Sequence, residues 1–277
     1  MLWRSGLALI LTAATATADP LTFVRSWTLV SDRPDFGGLS AIEMDNPYSA
    51  FVLSDRGTLF TLTLDRVTQS VDIDVAQQPY PNRDSEGLAL AGDTLFFSYE
   101  DPGRIASHDG TQVPSHPDFA TYSRNGSLEA LAADADGTLY TLPERSGDKN
   151  RPFPIYRYKN GTWDILTTLP RTGPFLPAGA DIGPDGQLYI LERAFTPLGF
   201  RSRIRRMDPK APDTPAETLL STSVGRHDNL EGVAIWQSDS GATCLTMVSD
   251  DNFLPVQRSE LVEYALTETL EGGATCD

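Results

Sequence analysis

The chain has 277 residues and a formal net charge of −16, with 38 acidic residues against 22 lysines and arginines. A surface this acidic repels phosphate backbones, which argues against nucleic-acid binding. The charge suits cation binding, although solubility alone would also account for it.

The first 18 residues are predicted to be a secretory signal peptide. Arg4 supplies the positive start, residues 7–11 form a short apolar run, and Ala16-Thr17-Ala18 is a small-residue cleavage signal. The apolar run is too short to span a bilayer, and no other stretch approaches about 18 apolar residues. We therefore expect a periplasmic or secreted protein without a membrane span, in which residues 19–277 form one domain.

The mature chain repeats a sequence motif of two strands. The first is an apolar inner strand that begins with a small or acidic residue, and the second strand ends in an acid. The copies lie at residues 37–56, 85–100, 128–145, 178–193 and 230–250. All-strand units that recur every roughly 40–50 residues are typical of a β-propeller. The count predicts an all-β propeller of five blades, while the longer segments 101–127 and 194–229 leave room for a sixth.

The last repeat supplies only three strands, the third at residues 260–266. We expect the N-terminal run 21–30 to provide the fourth strand, which closes the ring and removes an open sheet edge. Cys244 and Cys276 are the only cysteines. In an exported chain they predict a disulfide that holds the C-terminal tail to the last blade.

The repeated acids are the candidate site. Glu86, Glu129 and Glu231 occupy equivalent places on inner strands, so the ring symmetry should bring them together near the axis. A second set of acids ends the second strands: Asp55, Glu100, Glu144, Glu192 and Asp250. Converging carboxylates repel one another unless a proton or a cation neutralises them. Hard oxygen donors favour Ca²⁺, and we predict Glu86, Glu129, Glu231, Asp55 and Asp250 as ligands. The alternative is that each acid caps a turn or pairs with a nearby arginine as a strut.

Arginines lie beside several of these acids, and guanidinium groups bind phosphates and carboxylates alike. We predict that Arg56, Arg83, Arg145 and Arg193 bind the substrate, although they could instead neutralise the acids. His227, the one histidine near a repeat, is a candidate proton carrier or a loop residue without chemistry. With Glu86, Glu129 and Glu231 it completes the predicted catalytic set. No nucleophile elbow, zinc-protease helix motif or P-loop is present.

Seven short phrases resemble the phytase-like family of secreted bacterial proteins, which is also described as esterase-like activity of phytase. They are Gly38–Ser40, Ser54–Gly57, Asp84–Gly87, Ser127–Leu131, Leu191–Arg193, Asn229–Gly232 and Ser249–Phe253. The resemblance implies a β-propeller and suggests a calcium-dependent phosphoester hydrolase in the manner of propeller phytases. Gly37 and Ala178 stand in place of the repeat glutamate in the first and fourth copies, so the predicted acidic ring is incomplete.

The leading hypothesis is a periplasmic hydrolase that acts on a small phosphorylated molecule with Ca²⁺ as cofactor. A calcium-dependent lactonase or esterase is a second enzyme hypothesis, because a channel metal can also polarise a carbonyl. A non-catalytic binding or scaffold propeller is the rival from another class, since propellers host many functions.

Overall fold

The computed structural model describes residues 19–77, 84–100, 102–123 and 125–277. The predicted signal peptide and Arg83 lie outside the described residues. The described residues form nineteen β-strands and three short 3₁₀ helices, arranged as five antiparallel sheets. The five sheets are the blades of a propeller, which confirms the predicted fold and the lower of the two blade counts.

Blade 1 is the four-stranded meander that the alternating sequence of the first repeat predicts. Its strands run in order from the axis outward: β2 (Leu39–Asn46), β3 (Ser49–Ser54), β4 (Leu59–Asp65) and β5 (Ser70–Gln77). Blade 2 has three strands in the described part of the chain: β6 (Ser85–Ala91), β7 (Thr94–Tyr99) and β8 (Arg104–Ser107). A 3₁₀ helix at Pro117–Thr121 follows blade 2 and packs Phe119 into the core. This connection takes up the segment that could have held another blade.

Blades 3 and 4 are complete meanders. The strands of blade 3 are β9 (Leu128–Ala133), β10 (Leu139–Pro143), β11 (Phe153–Lys159) and β12 (Thr162–Leu169). Those of blade 4 are β13 (Leu176–Ile182), β14 (Leu188–Thr196), β15 (Gly199–Met207) and β16 (Glu217–Ser221). The β14–β15 hairpin extends past the ends of its neighbours, which explains the extra length of this repeat without a sixth blade.

Blade 5 closes the ring as predicted. Its strands are β17 (Asn229–Gln237), β18 (Thr243–Asp250), β19 (Glu260–Leu266) and the N-terminal β1 (Leu21–Thr28), which pairs antiparallel with β19. Two 3₁₀ turns follow at Thr267–Thr269 and Glu271–Gly273. Cys244 and Cys276 form the predicted disulfide, with a Cα–Cα distance of 5.9 Å. Within the described ranges, no helix has the length and apolar character needed to cross a membrane.

The core lies between neighbouring blades, because side chains alternate between the two faces of each strand. Between blades 4 and 5, for example, Tyr189 and Leu191 pack against Leu230, Val233 and Met247. Burying both faces of every sheet fixes the rotation of each blade around the axis. The loops at one end of the inner strands are therefore held in a defined ring.

Candidate functional site

Each inner strand carries a β-bulge at the same place, near the end where it begins. The bulges fall at or beside Ser40, Glu86, Glu129, Ala178 and Glu231. A bulge inserts one residue into the ladder and redirects its side chain. The three predicted inner glutamates therefore occupy equivalent positions. The register corrects one alignment, since the first-blade equivalent is Ser40 and not Gly37.

A second set of positions lies where each second strand leaves its blade. These residues face the start of the inner strand in all five blades: Asp55, Glu100, Glu144, Arg193 and Asp250. The register therefore corrects the sequence alignment in blade 4, where Arg193 rather than Glu192 matches the other four. We call the inner and second-strand positions together the double ring. It contains seven carboxylic acids and one arginine.

Glu192 belongs to a strut and not to the double ring. It is fully buried and accepts hydrogen bonds from Arg203 at 2.6 and 2.9 Å and from Arg205 at 2.7 and 2.6 Å. The two arginines also donate to the carbonyl oxygens of Thr172 and Pro170. Glu192 thereby fastens blade 4 to the segment that arrives from blade 3, as the strut alternative anticipated.

Arg193 reaches across blade 4, one of the two blades that lack an inner carboxylate. Its Nη2 lies 3.2 Å from Glu231 Oε1 and 3.4 Å from Glu144 Oε1, and Nη1 donates to Asn229 Oδ1 at 3.3 Å. Burial lowers the pKa of Arg193, but surrounding carboxylates, Glu231 first among them, raise it overall above its ordinary value. The guanidinium therefore stays charged and holds acids from blades 3 and 5 on either side of Ala178.

Asn229 is a site residue that the sequence analysis did not single out. Its Nδ2 donates to Glu231 Oε1 at 2.7 Å and to Asp250 Oδ2 at 3.5 Å, while its Oδ1 accepts from Arg193. It is almost completely buried at the first position of β17. Its place two residues before Glu231 was the available signal, because Asn229 pairs with Asp250 beside the bulge at Glu231.

Burial raises the pKa of several carboxyls of the double ring. Burial and the charges of Glu129 and Glu231 raise the pKa of Glu86 well above its ordinary range. Burial raises the pKa of Glu129 and of Glu231 as well, although Arg193 opposes the shift. Burial and the charge of Glu231 raise the pKa of Asp250 to about 7. The double ring thus holds more acidic groups than one guanidinium neutralises.

Hydrogen bonds hold the second-strand acids of blades 1 and 2 in place. Glu100 Oε1 accepts hydrogen bonds from the backbone N–H groups of Gly126 and Ser127, the second at 2.9 Å. These bonds lower the pKa of Glu100, but burial outweighs them and raises it. Asp55 receives a hydrogen bond from Ser54 Oγ at 3.4 Å, and burial raises its pKa as well. Backbone N–H groups therefore position Glu100, and a neighbouring hydroxyl positions Asp55.

The predicted arginines differ in how close they come to the double ring. Arg145 Nε donates to Glu144 Oε2 at 2.8 Å, and its side chain is 60% exposed. Arg56 is exposed and lies over the ring of Phe253, 3.3 Å from its centroid. Together with Arg193, they place three guanidinium groups around one end of the axis.

His227 is buried in the outer part of blade 5. Its Nε2 lies 2.8 Å from the Tyr264 hydroxyl, and its ring stacks on Phe23. Burial, aided by the nearby charges of Arg226 and Arg258, lowers its pKa to about 4. The structure therefore gives His227 aromatic neighbours and a neutral ring at pH 7, and its contacts do not include a carboxylate of the double ring.

The axis below the double ring is closed by glycines. A Cβ on Gly179 would lie 2.5 Å from the backbone oxygen of Glu231, and one on Gly232 would lie 2.8 Å from Ala41 Cα. The space left among these inner strands is about 10 Å³, roughly the volume that one water requires. The two ends of the axis are therefore separate compartments.

A larger cavity of about 550 Å³ lies at the opposite end. Glu43 and Asp181, both buried, line it, and burial raises the pKa of both, that of Asp181 to about 7. Asp181 accepts backbone hydrogen bonds from Ile182 and Ile235, each at 2.6 Å. These acids tie inner strands together, and they occupy equivalent places, three residues after the bulge, in the two blades that lack an inner glutamate. The other three blades carry alanine there. Two repeat acids thus lie at this end, against seven in the double ring. The candidate site is therefore the double ring and not the larger cavity.

Comparisons with solved structures agree with the propeller. An α-L-arabinofuranosidase from Podospora anserina, solved with cellotriose, aligns with a TM-score of 0.52 and 13% identity over 86% of this chain and 95% of that one. A gluconolactonase from Xanthomonas campestris aligns at 0.47 and 12% identity over 89% and 95%. A calcium-binding regucalcin from Agrobacterium tumefaciens aligns at 0.42 and 15% identity over 79% and 73%. Only the first of these three matches has a TM-score above 0.5, and at 13% identity it shows the fold alone.

Sequence comparison identifies the family. No curated protein matches the sequence significantly. The family described as "Phytase-like: Esterase-like activity of phytase" matches residues 34–253, from the segment before β2 to the loop after β18. The match includes every position of the double ring. It spans most of the chain, and the protein therefore belongs to the phytase-like family.

Proposed function

We propose that the protein is a calcium-dependent hydrolase of phosphoesters, and that the double ring is its active site. The observation that carries the proposal is the composition of this ring, in which seven carboxylic acids surround a single half-buried guanidinium. Carboxylates supply hard oxygen donors for a divalent cation, and the guanidinium supplies a charged donor for a phosphate oxygen.

The donor set fits Ca²⁺ in chemistry and charge. Glu86 and Asp250 are destabilised as anions by their neighbours, Asp55 among them, and a bound cation would relieve this repulsion. Within the described residues, however, no three acidic, histidine or cysteine side chains already converge as a finished metal site. Arg193 holds the blade 3 and blade 5 side of the ring. We therefore assign the cation to the side of blades 1 and 2, with Asp55, Glu86 and Asp250 as ligands, while Glu231, which also contacts Arg193, and Glu129 lie at its edge.

When bound, Ca²⁺ would offset phosphate charge and favour the ionised form of a coordinated water. Arg193 and the more exposed Arg145 would orient the phosphate. A ring carboxyl with a raised pKa, such as Glu129, can keep its proton near neutral pH and give it to the leaving oxygen. The geometry favours these carboxyls over His227, whose partners are Tyr264 and Phe23.

A titration of Ca²⁺ by calorimetry, followed by a phosphomonoester assay, tests the proposal. The mature protein is compared with the Glu86→Gln/Glu231→Gln variant and with Glu217→Gln, a mostly exposed glutamate on β16, as the matched control. We expect tight binding and turnover in the wild type and control, both lost in the double variant. Absence of calcium-dependent turnover across several phosphoesters contradicts the proposal.

A non-catalytic binding propeller is the second candidate, and one observation favours it. The acids already have protein partners, since Arg193 and Asn229 hold Glu231, and backbone N–H groups hold Glu100. A metal would then only make the ring rigid. Ligand binding without turnover of phosphoesters, lactones or aryl esters would establish this function, and lactone or ester turnover would establish the calcium-dependent lactonase or esterase instead.

A further inference from the structure

The β14–β15 hairpin carries an exposed apolar surface that starts at the double ring. Phe195 follows Arg193 by two residues in β14, so the two side chains share one face of the sheet, roughly 7 Å apart along the strand. Phe200 lies opposite Phe195 in the register, with ring centroids 5.3 Å apart. Phe195 is 71% exposed, and Leu198 in the turn is 86% exposed. We call these three residues the hairpin wall.

A second apolar surface follows Asp250 in the neighbouring blade. Phe253, Leu254 and Val256 form this loop wall, in which Leu254 is 50% and Val256 86% exposed. Asn252 and Phe253 have φ angles of 48° and 51°, a left-handed conformation that is costly for residues other than glycine. Asp250 Oδ1 accepts from the backbone N–H of Asn252 at 2.6 Å and so holds this turn. A ring carboxylate thereby positions the loop wall.

Among the described residues, the walls stand on blades 4 and 5. In blades 1 and 3 the residues that follow the ring position are polar or basic, Arg56 and Arg145 among them. One side of the opening at the double ring is therefore apolar, and guanidinium groups lie beside it. The protein as a whole has a net charge of −16. This combination is complementary to a small anion that carries an apolar group. It does not suit a compact ligand with many phosphates, which the remaining carboxylates would repel.

We propose that the two walls bind the apolar alcohol portion of the substrate, an aryl or alkyl group on a phosphomonoester whose phosphate reaches Arg193. This inference rests on the proposed function. In the reaction a water oxygen bonds to phosphorus and the bond from phosphorus to the alcohol oxygen breaks. The alcohol oxygen takes up one proton, and inorganic phosphate and the free alcohol leave. Because the walls are continuous with the ring, they act on substrate choice.

Binding of two non-hydrolysable anions tests the inference independently of turnover. Phenylphosphonate and methylphosphonate differ by one apolar ring, and calorimetry in the presence of Ca²⁺ measures both. Contact between the phenyl group and either wall should make phenylphosphonate bind about tenfold more tightly than methylphosphonate, which equals about 1.4 kcal/mol. The Phe195→Ser/Val256→Ser variant should reduce this preference to less than about twofold. Val67→Ser is the matched control, because Val67 is 93% exposed on the β4–β5 turn of blade 1.

The outcomes separate the two proposals. A phenyl preference that depends on the walls, without turnover of any phosphoester, supports the inference and contradicts the hydrolase. Turnover with equal affinity for both phosphonates, or no binding of either, overturns the inference. A wall variant that changes the oligomeric state in size-exclusion chromatography and leaves the preference intact also overturns it, since the walls would then join copies of the chain.

Discussion

Arg193 and Ala178 lie in the same blade, at its second-strand and inner positions of the double ring. Ala178 stands at the bulge where three blades carry glutamate, and Arg193 stands where the four other blades carry an acid. The small side chain leaves room for the guanidinium to contact Glu144 and Glu231 in the two neighbouring blades. Blade 4 thus supplies the positive charge of an otherwise acidic ring.

Replacing Arg193 should destabilise the protein in a pH-dependent way. Arg193→Met leaves Glu144 and Glu231 without their shared cation, and loss of one partner of a largely buried ion pair costs about 3 kcal/mol. We expect that loss in urea unfolding at pH 8 and a smaller one at pH 5, where the raised pKa of Glu231 favours its neutral form. Ca²⁺ should restore part of the lost unfolding free energy, because a bound cation supplies positive charge in place of the guanidinium.

Arg145→Met is the matched control for this experiment. Arg145 pairs with Glu144, but its side chain is 60% exposed, and such pairs contribute less than about 1 kcal/mol. Equal losses of unfolding free energy in the two variants would show that Arg193 does not neutralise the ring.

Replacing Glu192 should affect stability and leave ligand binding unchanged. Glu192→Gln removes the charge that holds Arg203 and Arg205, both buried, so we expect a loss of about 3 kcal/mol in unfolding free energy. Calorimetry of Ca²⁺ at a temperature where the variant remains folded should give the wild-type affinity. A weakened calcium affinity would return Glu192 to the double ring, where the sequence alignment had placed it.

Repetition made the architecture predictable from the sequence. The spacing of the copies predicted five blades, the three strands of the last copy predicted closure by the N-terminal run, and the two cysteines predicted the disulfide. All three are present. Each depends on patterns that extend over many residues, and an error of one residue leaves them unchanged.

The site was less predictable, because it depends on single-residue register. Adjacent residues of a strand point to opposite faces. An alignment error of one residue therefore puts Glu192, which belongs to a buried strut, in the place that Arg193 takes in the double ring. The bulges add one residue to each inner strand, and periodicity alone does not locate them. Glu43 and Asp181 escaped notice for a related reason, since they are equivalent only when the bulges at Ser40 and Ala178 are aligned, and the other three blades carry alanine there.

The stability of the protein should fall as pH rises from about 4 to about 7. Burial raises the pKa of Asp181 to about 7, against about 3.9 in an unfolded chain. The folded state therefore keeps protons that the unfolded state has released, and its stabilisation is present below pH 4 and lost as pH passes through 7. Glu43 shifts in the same direction, and so does Asp250.

Urea unfolding at several pH values measures this slope. Glu43→Gln/Asp181→Asn removes two of the groups that cause the pH dependence and should make the unfolding free energy fall less steeply with pH. The acids of the double ring should account for the pH dependence that is left. Asp136→Asn, an exposed aspartate at the same cavity, should leave it unchanged. A wild-type stability that is constant or that rises over this range would contradict the assignment.

The glycines on the axis should set the diameter of the double ring. In Gly232→Ala the new Cβ would lie 2.8 Å from Ala41 Cα, a backbone atom that cannot move without displacing blade 1 from blade 5. We expect a loss of at least about 2 kcal/mol in unfolding free energy. Weaker Ca²⁺ binding should accompany it, because Glu231 is the residue before Gly232. Gly137→Ala is the comparison, since its Cβ meets open space and its positive φ of 79° alone costs about 1 kcal/mol. If both variants lost the same stability and bound Ca²⁺ alike, contact across the axis would not control the ring.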